Sequence, residues 1–203
     1  AGNDLTLDLT SNATALTLDA SALDDGEVLT ITGASAKALT ITSGAGADTL
    51  VLSTGNDNIS GGAGNDTFTA GTSITYEDTI DGGEGVDTMT TGIVDDIDLQ
   101  NVTSIENMTI DGTSTLGAQA SEAGVVQVTV TGGDSVTSTA MTTGVTYVAD
   151  ILSGDDTLTG GQGDDIFSFS GPLSLEDGDV INGTSGVDKI QLDNSTGRVV
   201  AET

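Results

Sequence analysis

The feature that most constrains this chain is a nine-residue repeat of glycine and aspartate. Residues 61–69 read Gly-Gly-Ala-Gly-Asn-Asp-Thr-Phe-Thr, which fits the pattern G-G-x-G-x-D-x-U-x, where U is a large apolar residue. Related copies lie at 44–50, 54–60 and 78–89 in the first half of the chain, and at 154–167 and 179–190 in the second half. Repeats that keep the same phase predict a stack of similar short units rather than an ordinary globular core.

Each repeat contains a turn of about six residues followed by a strand of about three. Glycine suits such a turn because it adopts positive φ angles without a steric penalty. In the strand, alternate side chains point to opposite faces, so only the central apolar residue points inward. Successive turns then fall on opposite edges, and one full coil takes two repeats. The predicted inward residues are Leu50, Ile59, Phe68, Ile80, Met89, Leu158, Phe167, Ile181 and Ile190.

This coil length predicts which aspartates meet at the turns. On neighbouring coils, about 4.8 Å apart, two bare carboxylates repel by roughly 3–4 kcal/mol at an effective dielectric constant of 20. A calcium ion between them relieves the repulsion, and the carbonyls of the turn glycines complete its six to eight oxygen ligands; magnesium fits such a site less well. The predicted stacks are Asp48–Asp66–Asp87, Asp57–Asp78, Asp165–Asp188 and Asp156–Asp179, with several structural calcium ions held also by Gly44, Gly46, Gly62, Gly64, Gly83, Gly85, Gly161 and Gly163. Asp155 and Asp164 are expected to face solvent.

The two blocks of repeats indicate a duplication. Asp66 and Asp165 are separated by 99 residues, and Asp87 and Asp188 by 101. We therefore predict two solenoid modules, 1–98 and 99–203, with repeat blocks at about 44–90 and 153–193. By the same offset of 99 residues, Tyr147 takes the place of Asp48, so the second module is expected to lack one calcium site.

The rest of the chain alternates apolar residues with threonine and aspartate, a pattern typical of strands with one buried face. We interpret 1–43 and 91–149 as further coils of the same solenoid that bind little calcium, although a small β-sandwich gives similar alternation. Insertions at 70–77, with Tyr76, and at 168–178, with Pro172, are expected to bulge from one edge and to be candidate contacts for self-association. The predicted fold class is all-β, a right-handed parallel β-roll or β-helix.

The charge balance excludes several classes of binding partner. The chain has 32 acidic residues and three basic ones, a formal net charge of −29. Such a chain repels nucleic acids and anionic membranes, and it resists compaction unless a cation neutralises it. It has no histidine, which excludes histidine-based acid–base catalysis, and no apolar run of transmembrane length. We expect calcium as a partner, with no nucleic acid and no membrane insertion.

The repeats at 61–69 and 82–89, with their copies in the second block, resemble the RTX family of type I-secreted bacterial proteins. The family includes toxins, proteases, lipases, adhesins and surface-layer proteins. The resemblance implies a parallel β-roll that is unfolded in the calcium-poor cytosol and folds on export. The flank at 101–110 is similar to the threonine-rich coils of RTX-type surface-layer proteins and large adhesins.

Together these observations favour a calcium-dependent structural protein at the bacterial cell surface or outside the cell, part of a larger chain that assembles with its own copies or with other surface components. The alternatives are an accessory RTX module of a secreted enzyme, an adhesin stalk and, less favoured, an ice-binding or polysaccharide-acting β-helix. We expect no catalytic residues, because the three basic residues Lys37, Lys189 and Arg198 are well apart in sequence and the aspartates occupy turns. Ice binding would need Thr-x-Thr pairs in register, and their spacing along the sequence is irregular.

Overall fold

The structure, a computed structural model, describes residues 2–33, 36–131, 135–149, 155–169 and 178–192. Nineteen short strands account for most of its regular structure. The strands are β1 (Leu5–Asp8), β2 (Leu16–Asp19), β3 (Leu29–Thr32), β4 (Leu39–Thr42), β5 (Thr49–Val51), β6 (Asn58–Ser60), β7 (Thr67–Gly71), β8 (Thr79–Asp81), β9 (Thr88–Thr91), β10 (Val102–Thr103), β11 (Asn107–Ile110), β12 (Ser114–Thr115), β13 (Gln127–Val130), β14 (Val136–Thr137), β15 (Thr146–Ala149), β16 (Thr157–Thr159), β17 (Ile166–Phe169), β18 (Val180–Asn182) and β19 (Lys189–Leu192).

Every strand pair in the three sheets is parallel, so the chain winds as a β-solenoid. The ten odd-numbered strands form one sheet, in the order β1-β3-β5-β7-β9-β11-β13-β15-β17-β19. The even-numbered strands form the opposite wall, as a five-stranded sheet of β10-β8-β6-β4-β2 and a four-stranded sheet of β12-β14-β16-β18. Successive strands therefore alternate between walls. This confirms the predicted all-β parallel fold, with one full coil for every two strands.

The core lies between the walls, and the register explains why it forms. Leu50 pairs with Phe68, and Phe68 with Met89, so the inward residues stack directly on one another along the solenoid. All three side chains are fully buried. Large apolar side chains in these columns supply the hydrophobic stabilisation that the thin coil needs. The predicted inward positions are confirmed with two exceptions near the end of the stack.

The exceptions belong to the last described coil. Ile181 is only partly buried, although it packs against the core. Ile190 was predicted to point inward and is instead 58% exposed. Its strand, β19, is the edge of the ten-stranded sheet and pairs only with β17. Ile190 pairs with the buried Phe167 and so lies in the predicted inward column, but no further described coil covers that edge.

The segment 91–149 continues the solenoid and does not form a separate β-sandwich. Strand β11 pairs with β9 on one side and with β13 on the other. This segment also contains a short 3-10 helix, Asp96–Leu99, and one α-helix, α1 (Ala118–Ala123), which the sequence analysis missed. The Asp96 carboxylate accepts hydrogen bonds from the backbone amides of Gln119 and Ala120, at 3.3 and 3.1 Å, and so caps the start of α1 from another coil.

Pairing continues without a break across the predicted boundary between modules, since β8 pairs with β10 and β9 with β11. The two-module division thus remains a prediction based on the duplicated sequence. The coil length also varies along the chain, as the predicted aspartate stacks imply. Hydrogen-bonded aspartates on neighbouring coils are 18 residues apart at Asp48 and Asp66, but 23 apart at Asp165 and Asp188.

The insertions are smaller than predicted, because strands β7 and β17 extend into them. Ala70 lies in β7 and is buried, and Ile74 is buried as well, whereas Tyr76 is 52% exposed. In the second insertion Phe169 is a buried strand residue. Pro172 lies outside the described residues. The first insertion thus packs partly against the core and presents the Tyr76 ring at the surface.

Tyr147 does not occupy the position equivalent to Asp48. It pairs with Phe167, is fully buried, and stacks its ring on that phenyl ring with 4.9 Å between centroids. Val145 is the residue in the place of Asp48, because its amide donates to Asp165 Oδ1 at 2.8 Å just as the Asp48 amide donates to Asp66. The residue was wrongly assigned, since this coil is longer than 18 residues. The position still carries no carboxylate, as expected.

Threonines align better in the structure than their spacing suggests. One column contains Thr30, Thr49, Thr67 and Thr88, and a second column contains Thr69, Thr90, Thr109 and Thr129. Parallel pairing corrects for the unequal coil lengths, so the argument from irregular spacing was wrong. Even so, among the strands that the structure describes, complete Thr-x-Thr pairs stack on only two consecutive coils, β7 and β9.

Candidate metal sites

The predicted aspartates of one edge form a single column along the solenoid. Asp48, Asp66 and Asp87 each immediately precede a strand of the ten-stranded sheet, and the strand register places them on successive coils. On the next coil the same register position holds Glu106, which the sequence analysis missed because no glycine-rich turn precedes it. We call these four residues the acidic column. Asp165 and Asp188 take the same position near the end of the sheet.

Along the acidic column, each carboxylate binds the backbone of the preceding coil. Asp66 Oδ1 accepts the Asp48 amide at 2.7 Å, and Asp87 Oδ1 accepts the Asp66 amide at 2.7 Å. Asp188 Oδ1 accepts the Asp165 amide at 3.0 Å in the second block. Half of each carboxylate therefore serves as a hydrogen-bond acceptor between coils, an interaction that the sequence analysis did not anticipate.

The opposite edge repeats the arrangement with Asp57 and Asp78. Asp78 Oδ1 accepts the Asp57 amide at 2.7 Å, and Asp57 Oδ1 accepts the Leu39 amide at 2.8 Å. Here the remaining oxygens are also satisfied, because Asp57 Oδ2 accepts the Ser53 amide and Asp78 Oδ2 accepts the Thr75 amide, both at 2.7 Å. In the second block Asp179 Oδ1 accepts the Asp156 amide at 3.1 Å.

Two oxygens of the acidic column have no such partner. Asp66 Oδ2 and Asp87 Oδ2 are buried, and neither has a hydrogen-bond partner among the described residues. By contrast, Asp48 Oδ2 accepts hydrogen bonds from the Ser43 hydroxyl and from the Gly44 amide. A buried carboxylate oxygen without a partner is costly, and in proteins it is normally paired or bound to a metal. Asp66 and Asp87 are therefore positions at which a cation would relieve a buried charge.

A main-chain carbonyl lies beside each of these oxygens. A point at the Cβ position of Gly61 lies 2.3 Å from Asp66 Oδ2 and 2.5 Å from the carbonyl oxygen of Gly82, so at most 4.8 Å separates the two oxygens. One calcium ion, whose bonds to oxygen are about 2.3–2.6 Å long, can contact both. Gly61 was not among the predicted site residues, but its missing side chain leaves the space between these oxygens open.

The predicted turn glycines stack in columns whose carbonyls point at the next coil. A Cβ added at Gly62 would lie 2.1 Å from the carbonyl oxygen of Gly44, and one added at Gly83 would lie 2.0 Å from the carbonyl oxygen of Gly62. Gly46, Gly64 and Gly85 form a parallel column. A Cβ added at Gly64 would lie 2.5 Å from the Gly46 carbonyl oxygen, and one added at Gly85 would lie 1.9 Å from the Gly64 carbonyl oxygen. In the second block, an added Cβ at Gly161 would lie 2.5 Å from the Met141 carbonyl oxygen, and one at Gly186 would lie 2.2 Å from that of Gly163. Only glycine fits these positions, and their carbonyls line the turn edge.

The ligand set at these turns suits calcium. All the available atoms are oxygens, which hard cations prefer. Three or more acidic side chains never converge on one point within the described part of the chain. An ion here would be held by main-chain carbonyls such as that of Gly82, with Asp66 and its neighbours in the column as the charged ligands. Asp155 and Asp164 are exposed, in agreement with their predicted solvent-facing role.

Burial also changes the acidity of these groups. Loss of hydration raises the pKa of Asp66 to about 7, with the nearby charges of Asp48 and Asp87 adding to the rise. Burial likewise raises the pKa of Asp57, Asp87 and Asp165. In the absence of metal, Asp66 and Asp87 in the folded chain thus hold protons more tightly than ordinary aspartates do.

Comparison with known proteins agrees with this geometry. The family model described as the RTX calcium-binding nonapeptide repeat matches four copies, within residues 42–72, 75–98 and 152–171. No curated protein and no solved structure shows significant similarity to the chain. The chain therefore carries RTX nonapeptide repeats, which bind calcium, and the matched residues include the acidic column from Asp48 to Asp87. No helix in the described part of the chain has the length and apolar character needed to cross a membrane.

Substituting one stacked glycine should disrupt calcium binding. Gly62 and Gly26 have nearly the same φ, +92° and +91°, but a Cβ at Gly62 would meet the Gly44 carbonyl, whereas a Cβ at Gly26 would meet nothing within 4 Å. We expect Gly62→Ala to raise the calcium concentration at the folding midpoint at least several-fold. Gly26→Ala carries the same backbone strain and should change the midpoint little. A circular dichroism titration with calcium compares the two variants, and equal midpoints would show that the stacked carbonyls do not matter.

The raised pKa values predict that acid stabilises the metal-free fold. Because the folded pKa of Asp66, about 7, exceeds its ordinary value of 3.8, the folded chain binds more protons than the unfolded chain between these values. Its stability must therefore fall as the pH rises through that window. In calcium-depleted buffer we expect more β-structure by circular dichroism at pH 5 than at pH 7.5. We also expect calcium to bind less tightly at pH 5, because it competes with protons. A metal-free spectrum that does not change between these pH values would contradict this expectation.

Proposed function

We propose that this chain is a calcium-stabilised structural segment of a bacterial cell-surface protein, of the surface-layer or adhesin-stalk type. The RTX repeats themselves imply calcium binding and a secreted bacterial protein of RTX type. The observation that carries the finer proposal is the ten-stranded parallel sheet, which extends from β1 to β19 along the described residues. A solenoid of this kind lengthens by adding coils, so it forms an elongated, regular rod.

The charge supports folding outside the cell. With a net charge of −29, the chain resists compaction until cations bind. The buried oxygens of Asp66 and Asp87 add a local penalty to the metal-free fold. A low calcium concentration thus keeps the chain open, and a millimolar concentration, typical of extracellular calcium modules, favours the solenoid. This is the behaviour expected of a protein exported unfolded by type I secretion.

We do not assign a catalytic role. Catalysis requires a positioned base, acid or nucleophile, and the buried carboxylates of Asp66, Asp87 and Asp78 accept hydrogen bonds from backbone amides of neighbouring coils. Of the three basic residues, Lys37 and Lys189 lie on coils far apart in the stack, and Arg198 is outside the described residues. An accessory RTX module of a secreted enzyme is the main alternative, with its catalytic domain elsewhere in the parent protein.

The structural proposal predicts self-association that requires calcium. We expect the purified chain to form particles larger than its 20.1 kDa monomer in calcium but not in chelator, by light scattering and negative-stain microscopy. Tyr76→Ala should weaken this association, because the ring is 52% exposed on the first insertion. The substitution keeps the Tyr76 carbonyl, which accepts hydrogen bonds from Gln100 and Asn101.

Val86→Ala is the matched control, since Val86 is 51% exposed but lies outside the insertion. It should leave association unchanged. A chain that folds in calcium yet stays monomeric at every concentration would contradict the surface-layer proposal and favour the accessory-module alternative. Equal effects of the two substitutions would remove Tyr76 from the contact.

A further inference from the structure

The acidic column extends one coil beyond the glycine-rich repeats. Asn107 pairs with Thr88, so Glu106 takes the register position of Asp87 on the following coil. In the first block the family match to the repeats ends at residue 98, and no matched stretch includes Glu106. The next residue in the column is Val126, which is 49% exposed and carries no ligand atom in its side chain. Glu106 is therefore the last acid before Val126 interrupts the series, which resumes at Asp165.

Glu106 makes the same contact as the aspartates before it. Its Oε2 accepts the Asp87 amide at 2.8 Å, in the same way that Asp87 Oδ1 accepts the Asp66 amide at 2.7 Å. The interaction between coils is thus conserved in geometry, although the local sequence has lost the repeat pattern. This places a second carboxylate beside Asp87 at the boundary between the repeats and the threonine-rich coils.

Asp87 supplies an independent indication of a cation site at this boundary. Its side chain is fully buried, and its Oδ2 atom has no hydrogen-bond partner among the described residues. This oxygen lies on the side of the turn that faces the Glu106 coil, because a point at the Cβ position of Gly82 lies 2.6 Å from Asp87 Oδ2 and 1.8 Å from the carbonyl oxygen of Ser104. At most 4.4 Å therefore separates these two oxygens.

Ser104 takes the part that a turn glycine takes elsewhere. Its φ is +56°, a conformation that non-glycine residues rarely adopt. The Ser104 carbonyl lies beside Gly82 and Asp87 Oδ2, in the same way that the Gly82 carbonyl lies beside Gly61 and Asp66 Oδ2. The arrangement of carboxylate and carbonyl oxygens around Asp66 thus recurs one coil later, without the glycine pair in the sequence.

We propose that Asp87, Glu106 and the Ser104 carbonyl hold a calcium ion outside the nonapeptide repeats. The site rests on the proposed calcium binding of the repeats and adds one ion at their end. Two carboxylates and a carbonyl provide hard oxygen donors of the kind that calcium takes, and water can complete its shell. The ion would neutralise Asp87 and Glu106 and clamp the repeat block onto the coil that follows. The prediction that 91–149 holds little calcium would then fail at this one position.

The test counts bound calcium in the whole chain by equilibrium dialysis with radioactive calcium. Glu106→Gln keeps the side-chain length and an oxygen that can accept the Asp87 amide, but removes the charge. We expect it to bind one ion fewer per chain than the unsubstituted protein at saturating calcium. Glu122→Gln is the matched control, because Glu122 is exposed on α1, and it should bind the full number. Circular dichroism checks that both variants fold.

The outcomes separate this inference from the proposal on which it rests. If the unsubstituted chain binds no calcium, the calcium function itself fails. If it binds calcium and Glu106→Gln binds the same number with the same affinities, only the extra site is overturned, and Glu106 is a hydrogen-bond acceptor alone. Should Glu106→Gln fail to fold, crystals of the unsubstituted chain grown with terbium decide the question. An anomalous peak within bonding distance of Asp87 Oδ2 and the Ser104 carbonyl supports the site, and its absence beside occupied repeat sites overturns it.

Discussion

The structure depends on a carboxylate that does two things at once. In the acidic column, one oxygen of each aspartate accepts the amide of the preceding coil, and this bond sets the register between coils. The other oxygen of Asp66 and of Asp87 lies buried beside a main-chain carbonyl, with no hydrogen-bond donor among the described residues. Such an atom is tolerable only when a proton or a cation accompanies it. We therefore propose that stacking of the coils and binding of calcium are coupled, because both use the carboxylates of Asp66 and Asp87.

The glycines follow from this requirement. Coils that approach closely enough for Asp66 to reach Asp48 also bring Gly62 against the carbonyl of Gly44, where no side chain fits. The same close approach places a column of carbonyl oxygens along the edge. These oxygens would supplement the few carboxylates available to each ion. Folding must then be coupled to the ion, since the remaining acidic charge opposes the compact state. On this proposal, such a rod folds where calcium is plentiful and is unfolded where calcium is scarce.

Much of the fold could be predicted from the sequence, because each nonapeptide combines a glycine-rich turn with a short strand that has one inward residue. The phase of Asp48, Asp57 and Asp66 predicted both edges, and the apolar residues between them predicted the core. The errors arose where the local sequence does not show how long a coil is or where the stack ends. Tyr147 was misplaced because its coil is longer than 18 residues, and Ile190 is exposed because β19 ends the described stack. Glu106 could not be found by motif, since only the pairing of Asn107 with Thr88 brings it beside Asp87. Short helical segments such as Asp96–Leu99 likewise depend on contacts between coils.

A calcium titration of the purified chain at neutral pH, followed by far-ultraviolet circular dichroism, tests the central claim most directly. The buried carboxylates predict a disordered spectrum in chelator and a cooperative gain of β-structure as calcium approaches the millimolar range, with magnesium unable to replace it. A full β-solenoid spectrum in chelator, unchanged when calcium is added, would show that the column tolerates its charge without an ion, and the account would be wrong.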